Sequence, residues 1–170
     1  MMSNVMVSSL RTVILRELRA LEREISAYPD DESLWEVRDG IPNSAGNLAL
    51  HLAGNLRHFV GAILGGSGYQ RDRNQEFSAK GLTRSELTEI VDATISDLSA
   101  TFDKITDEQL DSEYPIVVLE QKLSTLEFLT HLAVHLSYHL GQIDYHRRLL
   151  TDSSQSVDTV SPRELTPFGR

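Results

Sequence analysis

The chain has 170 residues, the length of one domain, since single domains cluster near about 100–150 residues. Hydrophobic residues make up 40% of it and charged residues 24%, a composition typical of folded globular proteins. The formal net charge of −9 argues against nucleic acid and anionic membranes as partners, and the absence of cysteine excludes disulfides, Cys-ligated metals and thiol nucleophiles.

The start of the chain shows no targeting pattern. Met1 to Asn4 contain no basic segment leading into an apolar one, and no apolar run approaches the ~20 residues that cross a bilayer. We therefore expect a cytoplasmic protein without a membrane partner.

Two amphipathic helices are predicted in the first half. Apolar residues recur three or four positions apart from Val7 to Ile25, which predicts a first helix over about Val5 to Ala27 that ends before Pro29. Pro42-Asn43-Ser44 supply N-cap side chains for a second helix, which ends at the glycine-rich run Gly65 to Gly68. Residues 65–82 then form a long polar loop, a kind of segment that often carries function.

Capping boxes mark two further helices. Thr83 with Glu86 precedes the third helix, whose apolar residues run from Leu87 to Phe102, and Ser124 with Glu127 precedes the last helix, which extends to Leu150. Between them, residues 105–123 combine a short helical turn with the apolar run 116–119, for which an extended conformation is an alternative.

Four amphipathic helices without a convincing sheet predict an all-α fold, a four-helix bundle with a long loop between its second and third helices. We expect residues 1–150 to form the bundle. Residues 151–170 are polar and proline-containing, which predicts a C-terminal tail that is ordered only where it docks.

The six histidines all fall on the second and last helices. Side chains four residues apart on a helix differ by only about 40° and about 6 Å, so His135 and His139 present two imidazoles from one face. His51 lies at the same edge of the apolar stripe on its own helix. Three converging imidazoles would bind a metal and leave a position for water or substrate, whereas hydrogen-bonded core histidines are the ordinary alternative.

The other histidines do not fit the same centre. His58 and His146 lie about 10 Å along their helices from His51 and His139, too far for one tetrahedral site, and we expect surface or packing roles. His131 lies at the outer edge of the last helix and should face solvent or support a ligand.

These motifs resemble the DinB-like (YfiT-like) superfamily, with the similarity covering most of residues 5–150 and indicating an uncharacterised branch. The resemblance implies an up-down-down-up four-helix bundle with a divalent metal on His51, His135 and His139. Among characterised relatives are transferases and isomerases that use a low-molecular-weight thiol, which implies an open metal position for that thiolate. The residues that carry the resemblance are Asn47, His51, Gly54, Asn55, His131, His135, His139, Gly141 and Gln142.

Several functions are compatible with such a centre. A thiol-dependent S-transferase is the first, and a metal-dependent hydrolase is the second, with Glu76 or Asp72 of the long loop as the base. No Glu lies between His135 and His139, which excludes the zincin mechanism. A non-catalytic, dimeric, metal-binding stress-response protein is the third, and no catalytic residue is assigned.

The metal and the partners follow from the same residues. Imidazole ligands suit zinc and nickel. Gln142 lies where it could reach a metal-bound water or hold a histidine in one tautomer, and a plain surface role is the alternative. The expected partner is a small molecule. The resemblance, together with Val13, Leu15 and Val134 off the apolar stripes, predicts a homodimer.

Overall fold

The computed structural model describes residues 5–165. This part of the chain is helical and contains no strand. A π-helical segment, Arg57–Leu64, continues the second helix without a break. The α-helices are α1 (Val5–Ser26), α2 (Ala45–Leu56), α3 (Arg73–Ser78), α4 (Arg84–Phe102), α5 (Asp107–Asp111) and α6 (Thr125–Thr151).

The four longer helices enclose one hydrophobic core. Both α1 and α2 pack against α4 and α6, so that α2 and α6 are direct neighbours. Leucine and isoleucine side chains dominate the contact, and burying each of them contributes about 1.5–3 kcal/mol. The fully buried members include Ile14, Leu18, Leu52, Leu98, Leu129 and Leu136.

The sequence predicts the long helices well. The first helix ends one residue earlier than expected, and the Thr83–Glu86 capping box forms both of its hydrogen bonds. The Ser124 hydroxyl accepts a hydrogen bond from the Glu127 backbone N–H at the start of α6.

The segment over residues 65–82 differs from the sequence prediction, whereas residues 105–123 contain the predicted short helical turn, as α5, and no strand. The loop over residues 65–82 contains α3, which begins where the Asp72 carboxylate accepts a hydrogen bond from the Gln75 backbone N–H. The apolar run 116–119 is not a strand, because Val118 pairs only with Gln121 across a tight turn. The six-residue helix α3 and the tight turn at Val118 are too short to show the apolar periodicity from which longer elements are predicted.

The C-terminal residues lie along α1. Arg23 donates hydrogen bonds to the backbone carbonyls of Val157 and Asp158 and pairs with Glu164. Arg147 of α6 donates to the Gln155 carbonyl. The described part of the predicted tail is therefore docked, and residues 166–170 lie outside the described residues.

The residues behind the dimer prediction have different environments. Val13 and Leu15 are half-buried and pack against the core, whereas Val134 is 64% exposed on α6. The homodimer stays a prediction. Across residues 5–165, no helix combines the length and the hydrophobicity required to cross a membrane.

Glu22 of α1 provides a test of the packing against α4. Burial, followed by the neighbouring Asp92 carboxylate, raises the pKa of Glu22 to about 7. Between about pH 4.5 and 7, Glu22 is therefore protonated in the folded protein but mostly ionised in the unfolded chain. The free energy of unfolding falls as pH rises through this window.

We expect Glu22→Gln to stabilise the protein at pH 8 by about 1 kcal/mol, a value reduced for solvent screening, and to have little effect below pH 4.5. Urea unfolding of both proteins at the two pH values measures this difference. Glu89→Gln, at an exposed position on α4, should change stability little at either pH. A Glu22→Gln effect that is the same at both pH values would contradict the assignment.

Candidate metal centre

Three histidines from α2 and α6 converge at one point. His51, His135 and His139 each place a ring nitrogen within 4.8 Å of the others. His51 Nε2 and His135 Nε2 lie 3.3 Å apart. A metal ion about 2.0–2.1 Å from each nitrogen fits between atoms at this spacing after small side-chain rotations.

The helices fix this convergence. His135 and His139 lie one turn apart on α6, with ring centroids 4.6 Å from each other, and α2 brings His51 against both. His51 is buried, whereas His135 and His139 are half-buried. Two rigid helices therefore set the positions of all three rings.

The environment favours neutral imidazoles. Burial, together with the charges that His139 and His51 would carry, lowers the pKa of His135 to about 4. Burial also lowers the pKa of His139. Neutral imidazole is the metal-binding form, so the lone pairs of these two rings are available at neutral pH.

Glu76 of α3 orients His51. Its Oε2 atom lies 2.9 Å from His51 Nδ1, and both residues are buried. Arg71 donates hydrogen bonds to the two carboxylate oxygens at 2.6 and 2.8 Å. Burial opposes ionisation of Glu76, but the hydrogen bonds from Arg71 and His51 outweigh it and hold the pKa of this carboxyl below its usual range.

The tautomer of His51 follows from this contact. Arg71 Nη2 also approaches His51 Nδ1, at 3.2 Å, but the ionised carboxylate is closer and accepts a hydrogen bond from Nδ1–H. The lone pair then lies on Nε2, which faces His135. This carboxylate–histidine pair is the arrangement that commonly supports a metal ligand in proteins.

Two residues of α2 hold Glu76 in its position: Gly54 leaves space for its side chain, and Asn47 bonds to its backbone. A Cβ atom at Gly54 would stand 2.9 Å from Glu76 Cδ and overlap its carboxylate oxygen, so only glycine allows the close approach. The Asn47 side chain donates hydrogen bonds to the backbone carbonyls of Glu76 and Ala79. These contacts fasten α3 to α2 beside the histidines.

Gln142 has a similar role toward His139. Its Oε1 atom lies 2.6 Å from His139 Nδ1, on the next turn of α6. A carbonyl oxygen only accepts, so Nδ1 carries the proton and Nε2 holds the lone pair. The orienting role considered for Gln142 from its position in the sequence agrees with this geometry.

The model of a family described as "Protein of unknown function (DUF1572)" matches residues 2–163. The chain belongs to this family. No curated protein and no solved structure matches it. The family description assigns no activity.

Of the remaining histidines of this DUF1572 member, His131 borders the centre and the other two lie apart from it. His131 is exposed, and its ring stacks on Phe128 at 6.0 Å and on His135 at 6.2 Å. His58 is half-buried against Phe59. His146 is buried, accepts a hydrogen bond from the Tyr28 hydroxyl and donates one to the Glu36 carbonyl, which uses both ring nitrogens.

Two acidic loop residues have roles other than the one predicted from the sequence. Glu76 is a candidate hydrolytic base by sequence, but its oxygens are engaged by Arg71 and His51. Asp72 is exposed and caps α3. The feature of the sequence that could have indicated a residue packed closely against α2 is Gly54, because a glycine inside an apolar helix indicates a close neighbour.

Glu76→Gln tests whether this carboxylate supports a metal ligand. Loss of the charge and of one Arg71 contact should weaken zinc binding roughly 10–100-fold, the usual effect of changing such a partner. Competition titration with a chelating dye measures the affinity. Glu108→Gln, at an exposed position on α5, should bind zinc as the unchanged protein does. Equal affinity in the two variants would show that Glu76 does not support the centre.

Proposed function

We propose that this chain is a metal-dependent protein of the DinB-like type. Its four longer helices, α1, α2, α4 and α6, would form the up-down-down-up bundle, and one divalent transition metal, zinc or nickel, would be bound by His51, His135 and His139. The observation that carries the proposal is the convergence of three imidazole nitrogens within 4.8 Å. The hydrogen bonds to Glu76 and Gln142 add support, because they leave Nε2 of His51 and of His139 free.

The proposed centre has an open position. Three protein ligands are one fewer than a filled tetrahedron, and the absence of cysteine leaves no thiolate ligand in the chain. A cavity adjoins the histidines and is lined by His51, His135 and neighbouring residues of both helices. An exogenous ligand therefore has space beside the metal.

The reaction we propose is thiol-dependent S-transfer. A divalent metal on three neutral imidazoles keeps its full charge and stabilises a thiolate. The thiol would release its proton to solvent on binding. The sulfur would then form a bond to an electrophilic carbon of the second substrate while that carbon's bond to its leaving group breaks, and the leaving group would depart with the electron pair and take up a proton from water. The chain positions this chemistry through His51, held by Glu76, and His139, held by Gln142.

A metal-dependent hydrolase is less well supported. Hydrolysis commonly uses a carboxylate base near the metal, but Glu76 is bound to Arg71 and His51. Among the described residues, the lining of the cavity includes no Asp or Glu. The environment therefore suits a bound anion better than a general base.

Metal content tests the first part of the proposal. We expect about one zinc or nickel ion per chain after purification or after loading, measured by inductively coupled plasma mass spectrometry. His135→Ala and His139→Ala should lose binding, because two ligands make a weak site. His131→Ala is the matched control on the same helix and should bind metal nearly normally. Failure to take up either metal would rule out the centre.

A thiol titration tests the second part. A small thiol added to cobalt- or nickel-substituted protein should enter the open position and produce a sulfur-to-metal charge-transfer absorption band. The band should be missing in metal-loaded samples given the corresponding alcohol. An unchanged spectrum at millimolar thiol would contradict the S-transferase proposal and favour a closed, non-catalytic site.

A further inference from the structure

Arg73 is an exposed cation at the cavity beside the histidines. Within residues 5–165 it forms no salt bridge, and its guanidinium carbon lies 5.3 Å from the centroid of the Phe77 ring. The Phe77 ring in turn lies 4.9 Å from the His51 ring, measured between centroids. An unneutralised positive charge therefore stands one aromatic ring away from a proposed metal ligand.

Arg71 provides a second donor on the same side of the site. Its Nε and Nη2 atoms bond to the carboxylate oxygens of Glu76, whereas Nη1 has no hydrogen bond among the described residues and retains accessible surface. Arg71 lines the cavity, with its guanidinium carbon 5.8 Å from the centroid of the Phe59 ring. Nη2 lies 3.2 Å from His51 Nδ1, which places the guanidinium within about 8 Å of the proposed metal position.

The two arginines make the cavity positive. No Asp or Glu is among the described residues that line it, and the nearby Asp72 carboxylate is bound to the Gln75 backbone N–H at the start of α3. The whole chain carries a net charge of −9, so the charge of the cavity is opposite in sign to that of the molecule. A divalent metal would add to the positive charge. The cavity therefore attracts anions.

Much of the remaining lining is apolar. Phe59 and Phe128 come from the helices, and Val117 and Leu119 come from the tight turn before α6. Val117 is 56% exposed and Leu119 is 90% exposed, so both have apolar surface that a bound molecule could cover. An inorganic anion would leave this surface in contact with water. The cavity therefore suits an organic anion with a hydrocarbon skeleton.

We propose that Arg73 and Nη1 of Arg71 form a subsite for an anionic group of the substrate, a carboxylate in the simplest case. The guanidinium groups donate charge-assisted hydrogen bonds to it, and the carbon skeleton between this group and the metal packs against Phe59 and Leu119. Arg73, which is not engaged by Glu76, is the specificity-determining residue. This inference rests on the proposed function, because the metal holds the other end of the substrate. It adds the chemical class: a thiol that carries a carboxylate.

Two thiols that differ in charge test the subsite. β-Mercaptopropionate carries a carboxylate, and β-mercaptopropionamide replaces it with a neutral amide of nearly the same shape. We expect the cobalt-loaded protein to bind the carboxylate about tenfold more tightly, because charge-assisted hydrogen bonds are the stronger ones. Titration of the sulfur-to-metal charge-transfer band measures both affinities.

Arg73→Gln should reduce this preference roughly three- to tenfold by weakening the binding of the carboxylate, with the affinity for the amide nearly unchanged. Lys80→Gln is the matched control, since it removes the same charge from an exposed position outside the cavity lining and should keep the preference. The attraction of the metal itself is common to all three proteins, so their comparison isolates Arg73. A purely structural role of Arg73 through Phe77 would change both affinities alike.

The results separate the two proposals. Absence of metal uptake by the unchanged protein would overturn the metal centre and this inference together, and metal uptake without a band for either thiol would overturn S-transfer and this inference. With bands present, only the subsite would be overturned by equal affinities for the two thiols, by an unchanged preference in Arg73→Gln, or by an equal loss in Lys80→Gln. A loss of carboxylate binding confined to Arg73→Gln would support it.

Discussion

The hydrogen bond between His51 and the buried Glu76 carboxylate fixes the geometry of the site. An ionised carboxylate in this position is tolerated only when it is paired, and Arg71 provides the pairing. Glu76 also requires Gly54 opposite it, since a larger residue would displace the carboxylate. The loop after α2 therefore contributes to the site by orienting one histidine. Glu76, which makes this contact, lies on α3.

The second half of the site depends on α6. Its 27 residues place His135, His139 and Gln142 on successive turns of one rigid element. The hydrogen bond from His139 to Gln142 is local, whereas the one from His51 to Glu76 joins residues 25 positions apart. Two histidines are thus positioned by helix geometry, and the third requires the tertiary contact between α2 and α3.

The histidine cluster and the long helices could be predicted because both are periodic features. Spacing on α2 and α6 identifies His51, His135 and His139 as residues on one edge of the core, and capping residues mark where α4 and α6 begin. The orienting role of Glu76 could not be predicted, because it depends on how a short helix folds back on α2.

The central claim is that one metal ion binds between α2 and α6, and anomalous diffraction from zinc-loaded crystals tests it most directly. The account predicts one strong peak at the zinc edge, about 2.0–2.1 Å from a nitrogen of each of His51, His135 and His139, with a non-protein ligand in the remaining position. A peak elsewhere, or no peak between these three rings at full zinc loading, would contradict it.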